Sequence, residues 1–572
     1  MYILGINSGG HDAAAGLFKD YAFCAGVQHE RLTRIKGAGG YPHASIAEIL
    51  AIAGIAPADV DVIALARSDI DRKYIAFPHH HKIWDWYSRK IRGKKTISFA
   101  RIQRTTRTAD SHALFRGGLF LKDHGFRPDA QIYFPNHHRA HALSALFYTD
   151  WSDALIYTAD ALGDNVQYSA RLLKNGTLSC LFGGEDKLLC APEYDSVARA
   201  YAYATEAIGF RSFRHEGKLT GLAAYGKPVI ADPMKALFSI DGQGKICGHF
   251  PSNKALRRII FRLAKDQDKA DVAASVQQML EDLVLDSIER ILAKHPVTRL
   301  GLAGGVFANV RLNALLKERL ALREIFIFPG MGDEGLVVGG PLDYLLQRDG
   351  LAPWLERRDR LSHMSFGRDY TDTIDGVLGS HPAVVCEPGD PVERAAEVLA
   401  AGQVGAIYTG RMEFGPRALG NRSILASPAV RGINDSLNKR LARTEFMPFA
   451  PYVRADDARE VFGVDDANAY ACWFMTITTK VAAEWKEKIP AVVHVDGTAR
   501  PQIITREHNA LYYDILTIFK QKTGLPVLVN TSFNAHEEPI IDTPQQCLQA
   551  LLDDRVDFIV TSQAIYRAHK AT

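Results

Sequence analysis

The sequence predicts an α/β protein whose N-terminal part is a duplicated, two-lobed phosphate-binding fold. Three observations predict it. Tyr2 to Ile6, Ala13 to Phe18 and Ala22 to Val27 are apolar runs separated by polar turns, a strand-turn-strand-turn-strand pattern. The pattern returns from Asp153, with strands Ala154 to Thr158, Gln167 to Leu173 and Leu178 to Phe182 and turns at Asp160 to Asp164 and Lys174 to Gly176. Further on, the strands Arg299 to Ala303 and Ile325 to Phe328 run into Gly304-Gly305 and into Pro329-Gly330-Met331-Gly332. Glycines at strand-to-helix turns let backbone N–H groups approach an anionic or nucleotide ligand closely.

The remaining elements follow in order. Between the two repeats, Ala140 to Phe147 has helical spacing and no breaker, so His137 and His141, four apart, project from one face. Such a pair can hold a divalent metal if the chain brings further ligands. Phe307 to Leu316 reads as a helix after the glycine pair, and Leu336 to Gln347 as the helix that closes an N-terminal domain, residues 1–355. A polar stretch with Pro353 and Arg357 to Arg360 marks a linker, 356–383. The C-terminal domain, 384–572, opens on the strand Val384-Val385.

At 572 residues and 47% hydrophobic, the chain can bury large cores in two to four domains. A net charge of +3 from 68 basic and 65 acidic residues gives no whole-protein argument for nucleic acid or membrane. Seven scattered cysteines without a C-x-x-C pair exclude a structural zinc finger and fit a reducing compartment. No apolar run approaches the roughly 18 residues of a membrane span. A cytoplasmic enzyme is expected, and homo-oligomerisation is left open.

Several stretches carry a family resemblance: "GINSGGHDAAAGLF", "ERLTRIK", "NHHRAHALSALF", "TADALGD", "HEGKLTGLAAYG", "LAGGVFANVRLN" and "GMGDEG", then "GPRALGNRSIL", "EFMPFAPYV", "HVDGTARPQII" and "NTSFNAHEEPI". In this order they resemble the NodU/CmcH-type O-carbamoyltransferases across nearly the whole chain. The resemblance implies an actin-like ATPase (ASKHA) fold, similar to the tRNA threonylcarbamoyl transferase, joined to a YrdC-like domain. It implies carbamoyl phosphate and ATP, with Mg, as substrates of the second domain. There they would give a carbamoyl adenylate, which a hydroxyl of a small-molecule acceptor, a natural product or glycan, attacks in the first.

Motif by motif, the resemblance places an iron-type centre on His137, His141, Asp160 and Asp333. Two imidazoles and two carboxylates suit Fe, Mn or Zn equally, and His138 stays open as a rival ligand. His11 and Asp12 are candidates to take the acceptor proton. Glu216 and Lys218, ahead of a small-residue helix, are candidates to position the acceptor and to meet a phosphate, although some relatives carry Asp where Glu216 stands. Gly304, Gly305 and Asn309 are candidate nucleotide contacts. In the C-terminal domain Arg411, Arg417, Arg422, Lys439, Arg443 and Arg500 supply the charge that phosphates need, the arginines as planar forks. Asn530, Ser532 and Asn534, after the strand Val527 to Val529, suit adenylate recognition.

Between Asp71 and Asp110, eleven basic residues stand against one acid, Asp85, and are interleaved with Trp84, Trp86, Tyr87 and Phe99. This insertion reads as a lid that binds the acceptor, as a solvated surface, or, least of all, as a nucleic-acid site. Pro78 with His79 to His81 reads as a loop. Rival readings are a tRNA-modifying enzyme, a hydrogenase-maturation carbamoyltransferase, which would need paired cysteines, and a non-catalytic nucleotide-binding regulator.

Overall fold

Two five-stranded sheets with the same strand order build the N-terminal unit. In the first, β1 (Tyr2–Asn7), β2 (Ala14–Lys19) and β3 (Ala22–Gln28) form an antiparallel meander, which β4 (Val62–Leu65) and β5 (Gln131–Tyr133) extend in parallel beside β1. In the second, β6 (Ala154–Gly163), β7 (Val166–Lys174) and β8 (Thr177–Phe182) repeat the meander, and β9 (Arg299–Ala303) and β10 (Glu324–Ile327) the extension. The orders are β3-β2-β1-β4-β5 and β8-β7-β6-β9-β10, the duplicated topology of the actin-like ATPase fold. This computed structural model describes residues 1–90, 93–191, 193–443 and 447–569, without the side chains of His80 and Arg89.

Two close approaches position the site. The buried helix Leu336–Asp349 lies flat on β1 and crosses the helix His137–Phe147. A Cβ added to Gly339 would stand 1.9 Å from the Ala140 carbonyl oxygen, so the two helices meet backbone to backbone and only glycine fits. This crossing sets Asp333, just ahead of one helix, opposite the first turn of the other.

Several elements differ in detail from their sequence reading. The turn expected from Asp160 begins later: β6 runs on to Gly163 with a register shift after Ala159, and the reversal falls on Asp164 and Asn165, both at positive φ. Such an irregularity re-aims a side chain, here that of Asp160. Gly305–Ala308 is a single 3-10 turn, after which Asn309 caps the helix Val310–Arg319 by accepting from the Leu312 N–H at 3.0 Å. Glu216 and Lys218 lie inside the first turn of the helix Glu216–Leu222 rather than ahead of it.

The C-terminal unit is an eight-stranded mixed sheet. Its strands are β11 (Val384–Glu387), β12 (Gly405–Tyr408), β13 (Arg422–Ala426), β14 (Ala450–Arg454), β15 (Gln502–Ile504), β16 (Val527–Ser532), β17 (Phe558–Val560) and β18 (Ile565–Ala568), ordered β11-β18-β17-β12-β13-β16-β14-β15. Asn530 and Ser532 therefore sit in β16, not beyond it. Within 356–383, expected as linker, the strand Ser365–Asp369 pairs with Arg411–Glu413, and the helix Thr371–Gly379 packs on the helix Pro544–Leu552. Five buried anchors, Leu361, Met364, Phe366, Ile374 and Leu378, hold this piece, too irregularly spaced to leave a readable periodicity. The two units are in direct contact: Phe326 stacks on Tyr470 at 4.3 Å, and the Arg411 guanidinium donates to the Cys24 carbonyl at 2.9 Å. Among the described residues no helix is long and apolar enough to cross a membrane.

Candidate active site

His137 and His141 occupy one face of their helix because Asn136 caps it: the Asn136 Oδ1 accepts from the Arg139 N–H at 2.9 Å. The His137 N–H donates to Asp164 Oδ2 at 2.8 Å, which pins the first turn to the second sheet. Across the cleft, His141 Nε2 lies 3.4 Å from Asp160 Oδ2 and 3.8 Å from Asp333 Oδ1, and His137 Nε2 lies 3.6 Å from both carboxylates. One ligand atom from each of the four residues falls within 4.8 Å of the others.

Both Nε2 atoms are buried without a hydrogen-bond partner. Orphaned donors of this kind are expensive unless something binds between them. Burial disfavours a charged His137, but Asp160 and Asp333 outweigh it and raise its pKa to about 9. Burial alone would raise the Asp160 pKa, yet His137 and His141 hold it well below the usual carboxylate range. The four residues fit a divalent metal: two neutral nitrogens and two carboxylates, with a proton released on binding.

His138 is excluded as the rival ligand. Its Nε2 donates to the Val166 carbonyl at 3.1 Å, its Nδ1 meets the Thr158 hydroxyl at 2.8 Å, and burial pushes its pKa far down. It is a satisfied core histidine.

Gly163 supplies a test of this geometry. A Cβ there would stand 2.0 Å from Cδ2 of the His137 ring. Gly163→Ala should therefore rotate the ring away and lower metal content at least about tenfold, as the loss of an orienting partner does, with unchanged circular dichroism. Full metal content by elemental analysis would show that His137 is not needed.

His11 and Asp12 sit on the first glycine turn, with His11 Nδ1 2.8 Å from Asp12 Oδ2. That hydrogen bond, against some burial and with help from Asp333, lifts the His11 pKa to about 9. Glu216 Oε1 accepts from the Phe213 N–H at 2.6 Å, and burial raises the Glu216 pKa. Lys218 is buried in its helix, and Gly217 and Thr220 from the same turns line a cavity that continues into the C-terminal unit. Gly305 donates its N–H toward Asp160 Oδ2 at 3.5 Å. Asn309 is bound to Gln277 at 2.8 Å as well as capping its helix, so it holds the wall of which its neighbours Ala308 and Val310 form the surface.

That cavity, about 260 Å³, gathers Arg417, Arg443, Arg500, Asn530, Ser532 and Asn534. The Arg443 guanidinium organises the strand end, donating to the Thr531 hydroxyl at 2.8 Å, to Asn534 Oδ1 at 2.7 Å and to the Ser532 hydroxyl at 3.1 Å. Arg411 and Arg422 are not part of it. Arg422 is fully buried over the Tyr408 ring at 3.7 Å and donates to the carbonyls of Thr409 and Gly410. Arg411 donates to the carbonyls of Gly367 and Phe366. Both staple loops together, because a buried guanidinium with several donors satisfies carbonyls that strands leave over. Lys439 is exposed on the helix Ile433–Arg440, and Arg443 follows that helix instead of lying on it.

Comparison with known proteins decides the family. The "Carbamoyltransferase N-terminus" family model matches residues 2–342, and the "Carbamoyltransferase C-terminus" model residues 396–568. The chain belongs to the carbamoyltransferase family. Nodulation protein NolNO of Sinorhizobium fredii is 33% identical over 98% of this chain and 80% of its own. Nodulation protein NolO of Bradyrhizobium diazoefficiens is 32% identical over 76% of this chain and 79% of its own. An uncharacterised protein of Methanocaldococcus jannaschii is 32% identical over 76% and 73%.

In this carbamoyltransferase the basic insertion is folded. Its strands Asp69–Asp71 and Thr96–Ser98 pair, the helices Lys82–Lys90 and Phe99–Thr106 flank them, and His79–His81 form a 3-10 turn where a loop was expected. Arg72 pairs with buried Asp85 at 2.6 Å and stacks on Trp84 at 5.1 Å, so this arginine and this tryptophan serve the fold. Ile83, Trp86 and Tyr87 are exposed, and Arg104 reaches Asn165 in the second lobe. Arg92 and the Arg89 side chain lie outside the described residues. Sequence reasoning missed Lys36, His536 and Glu537, which also line the cavity. A lone lysine and a loop after a strand give no periodic signal; only the motifs "ERLTRIK" and "NTSFNAHEEPI" around them could have pointed there.

Proposed function

We propose that this carbamoyltransferase is an ATP-dependent O-carbamoyltransferase working in two half-reactions. In the first, carbamoyl phosphate loses phosphate to water, and a carbamate oxygen attacks the α-phosphorus of ATP, releasing pyrophosphate and leaving carbamoyl adenylate. In the second, an acceptor hydroxyl attacks the carbamoyl carbon; its proton passes to the enzyme and AMP leaves. The observation that carries the reading is a cavity lined from both units, by Arg417, Arg443, Arg500, Ser532 and Asn534 on one side and by Lys36, Gly217 and Thr220 on the other. A water-sensitive carbamate and its adenylate need such shielding. The C-terminal unit is then YrdC-like in role.

His137, His141, Asp160 and Asp333 would hold the metal, iron or another divalent ion, which when bound supplies Lewis acidity to an oxygen beside it. His11 and Asp12 share the task of receiving the acceptor proton, and Glu216 keeps the loop above them in place. The test is to incubate the protein with carbamoyl phosphate, ATP and Mg and a panel of hydroxylated metabolites, and to look by mass for the gain of one carbamoyl group. No gain, together with no carbamoyl-phosphate-dependent pyrophosphate, would sink the reading.

A pH dependence follows from His11. With its pKa raised to about 9 by Asp12, the ring is mostly protonated at neutral pH and becomes a base as pH rises. Acceptor kcat/KM should therefore climb through neutral pH, reach half its limiting value near 9 and level off above it, and Asp12→Asn should move that limb down toward the ordinary 6.5. A flat profile between about pH 6 and about pH 10 would remove His11 from proton transfer.

A further inference from the structure

The helix Lys82–Lys90 carries its amphipathicity reversed. Its inward face is polar: Asp85 and Ser88 are 3% and 4% exposed, and Arg72 neutralises Asp85 there. Its outward face is apolar, with Ile83 79%, Trp86 57% and Tyr87 43% exposed. These positions stand three and four apart, so they form one stripe along the helix. Lys82 and Lys90, four residues to either side of Trp86, are exposed on the same row. A helix with only water outside would turn such a stripe inward.

The charge beside the stripe narrows what covers it. From Arg72 to Ala109 Asp85 is the only carboxylate. Acids at the margin are engaged elsewhere: Asp69 faces Lys94 and His11, Asp71 accepts from the Lys73 N–H at 2.9 Å, and Asp123 accepts from Lys73 Nζ at 2.8 Å. Lys82, Lys90 and Lys95 are exposed, and exposed Arg101 lies over the Trp84 ring at 5.8 Å, which holds a fourth cation against the helix.

Three kinds of occupant can be weighed against these groups. A second copy presenting the same face would set the cations against each other, and three side chains on a nine-residue helix fall far short of the roughly 1,200 Å² that a stable interface buries. A nucleic acid would suit the cations and the rings, but Ile83, the most exposed of the three, has no face on which a base could stack. An anionic lipid surface takes all of them: Ile83 enters the acyl boundary, Trp86 and Tyr87 suit the headgroup level, and the lysines reach lipid phosphates while their stems stay on apolar surface. We propose that the helix Lys82–Lys90 is a membrane-surface dock, lying flat on a bilayer that carries anionic phospholipid, with Ile83 and Trp86 inserted and Lys82 and Lys90 on the headgroups. Such docking is independent of which reaction the cleft carries.

The test is co-sedimentation of the full-length protein with vesicles of phosphatidylcholine alone and of phosphatidylcholine mixed with phosphatidylglycerol. The parent should pellet with the anionic vesicles and stay in solution with the neutral ones. Ile83→Ser combined with Trp86→Ser should cut partitioning at least about tenfold, because two side chains then leave the acyl boundary. Lys82→Gln combined with Lys90→Gln should cut it roughly 25-fold, about fivefold for each lysine removed near an anionic surface. All four positions are exposed, and unchanged circular dichroism and melting temperature check that the fold is kept. Trp86→Phe keeps the apolar bulk and should still pellet, while the blue shift of tryptophan emission that anionic vesicles induce in the parent is lost. No pelleting of the parent, equal pelleting with neutral vesicles, or full pelleting of the double serine variant would overturn the dock. So would a parent dimer in light scattering that the double serine variant dissolves, which makes a second copy the occupant, or tighter binding of a single-stranded oligonucleotide than of anionic vesicles.

Discussion

Arg417→Ala and Ser532→Ala are each expected to cut carbamoyl-phosphate-dependent pyrophosphate release at least about 100-fold, the cost of losing one preorganised contact to developing phosphate charge. His137→Ala should leave that release within about twofold while stopping transfer to the acceptor. The reason is placement. Arg417 and Ser532 line the cavity on the C-terminal unit, where Ser532 also fixes the Arg443 fork. His137 stands between the two lobes of the N-terminal unit, with Asp160 and Asp333. Lys36→Ala is the informative intermediate, since this residue reaches the shared cavity from the N-terminal side and should impair both steps. If His137→Ala in a folded protein eliminated pyrophosphate release as well, the two half-reactions would not be divided as described.

Asp160→Ala and Asp333→Ala should each lower metal content by more than about tenfold. Altering a partner that merely orients a ligand already costs 10- to 100-fold in comparable sites, and a ligating carboxylate contributes no less. Either change also removes a negative charge that keeps His137 protonatable at high pH, so the His137 pKa should fall from about 9 in the metal-free variant. Elemental analysis checks the first expectation and NMR titration of the imidazole the second. His138→Ala is the control: it breaks hydrogen bonds to Thr158 and Val166, lowering the melting temperature, yet metal content should hold. Undiminished metal in both aspartate variants, with loss in the His138 variant, would move the site.

Much of this was legible in the chain. Short apolar runs punctuated by polar and glycine turns gave both meanders, since run length and turn chemistry are local. The i,i+4 histidines needed only the helix to be recognised, and the arginine density of the C-terminal unit needed no structure. Local pattern went wrong where a residue's role depends on distant partners. Arg411 and Arg422 look like phosphate ligands in a glycine-rich stretch, and only the folded chain shows their guanidinium groups taken up by loop carbonyls and the Tyr408 ring.

The sequence by itself determined the three-strand run that opens each repeat, the residue types of the site and the family to which they belong. Tertiary structure alone decided that His138 does not join His137 and His141 at the carboxylates. His137, His138 and His141 are chemically identical, but the side chain of Gly163 is absent where the His137 ring must pass, and Thr158 with Val166 claims the His138 ring. It also decided that Phe213 stands over His11, because that contact is set by Gly37, Glu216 and Glu537, residues brought together from both units. Spacing along a chain fixes which side chains share a helix face or a sheet face; which faces then meet is a property of packing between elements far apart in sequence.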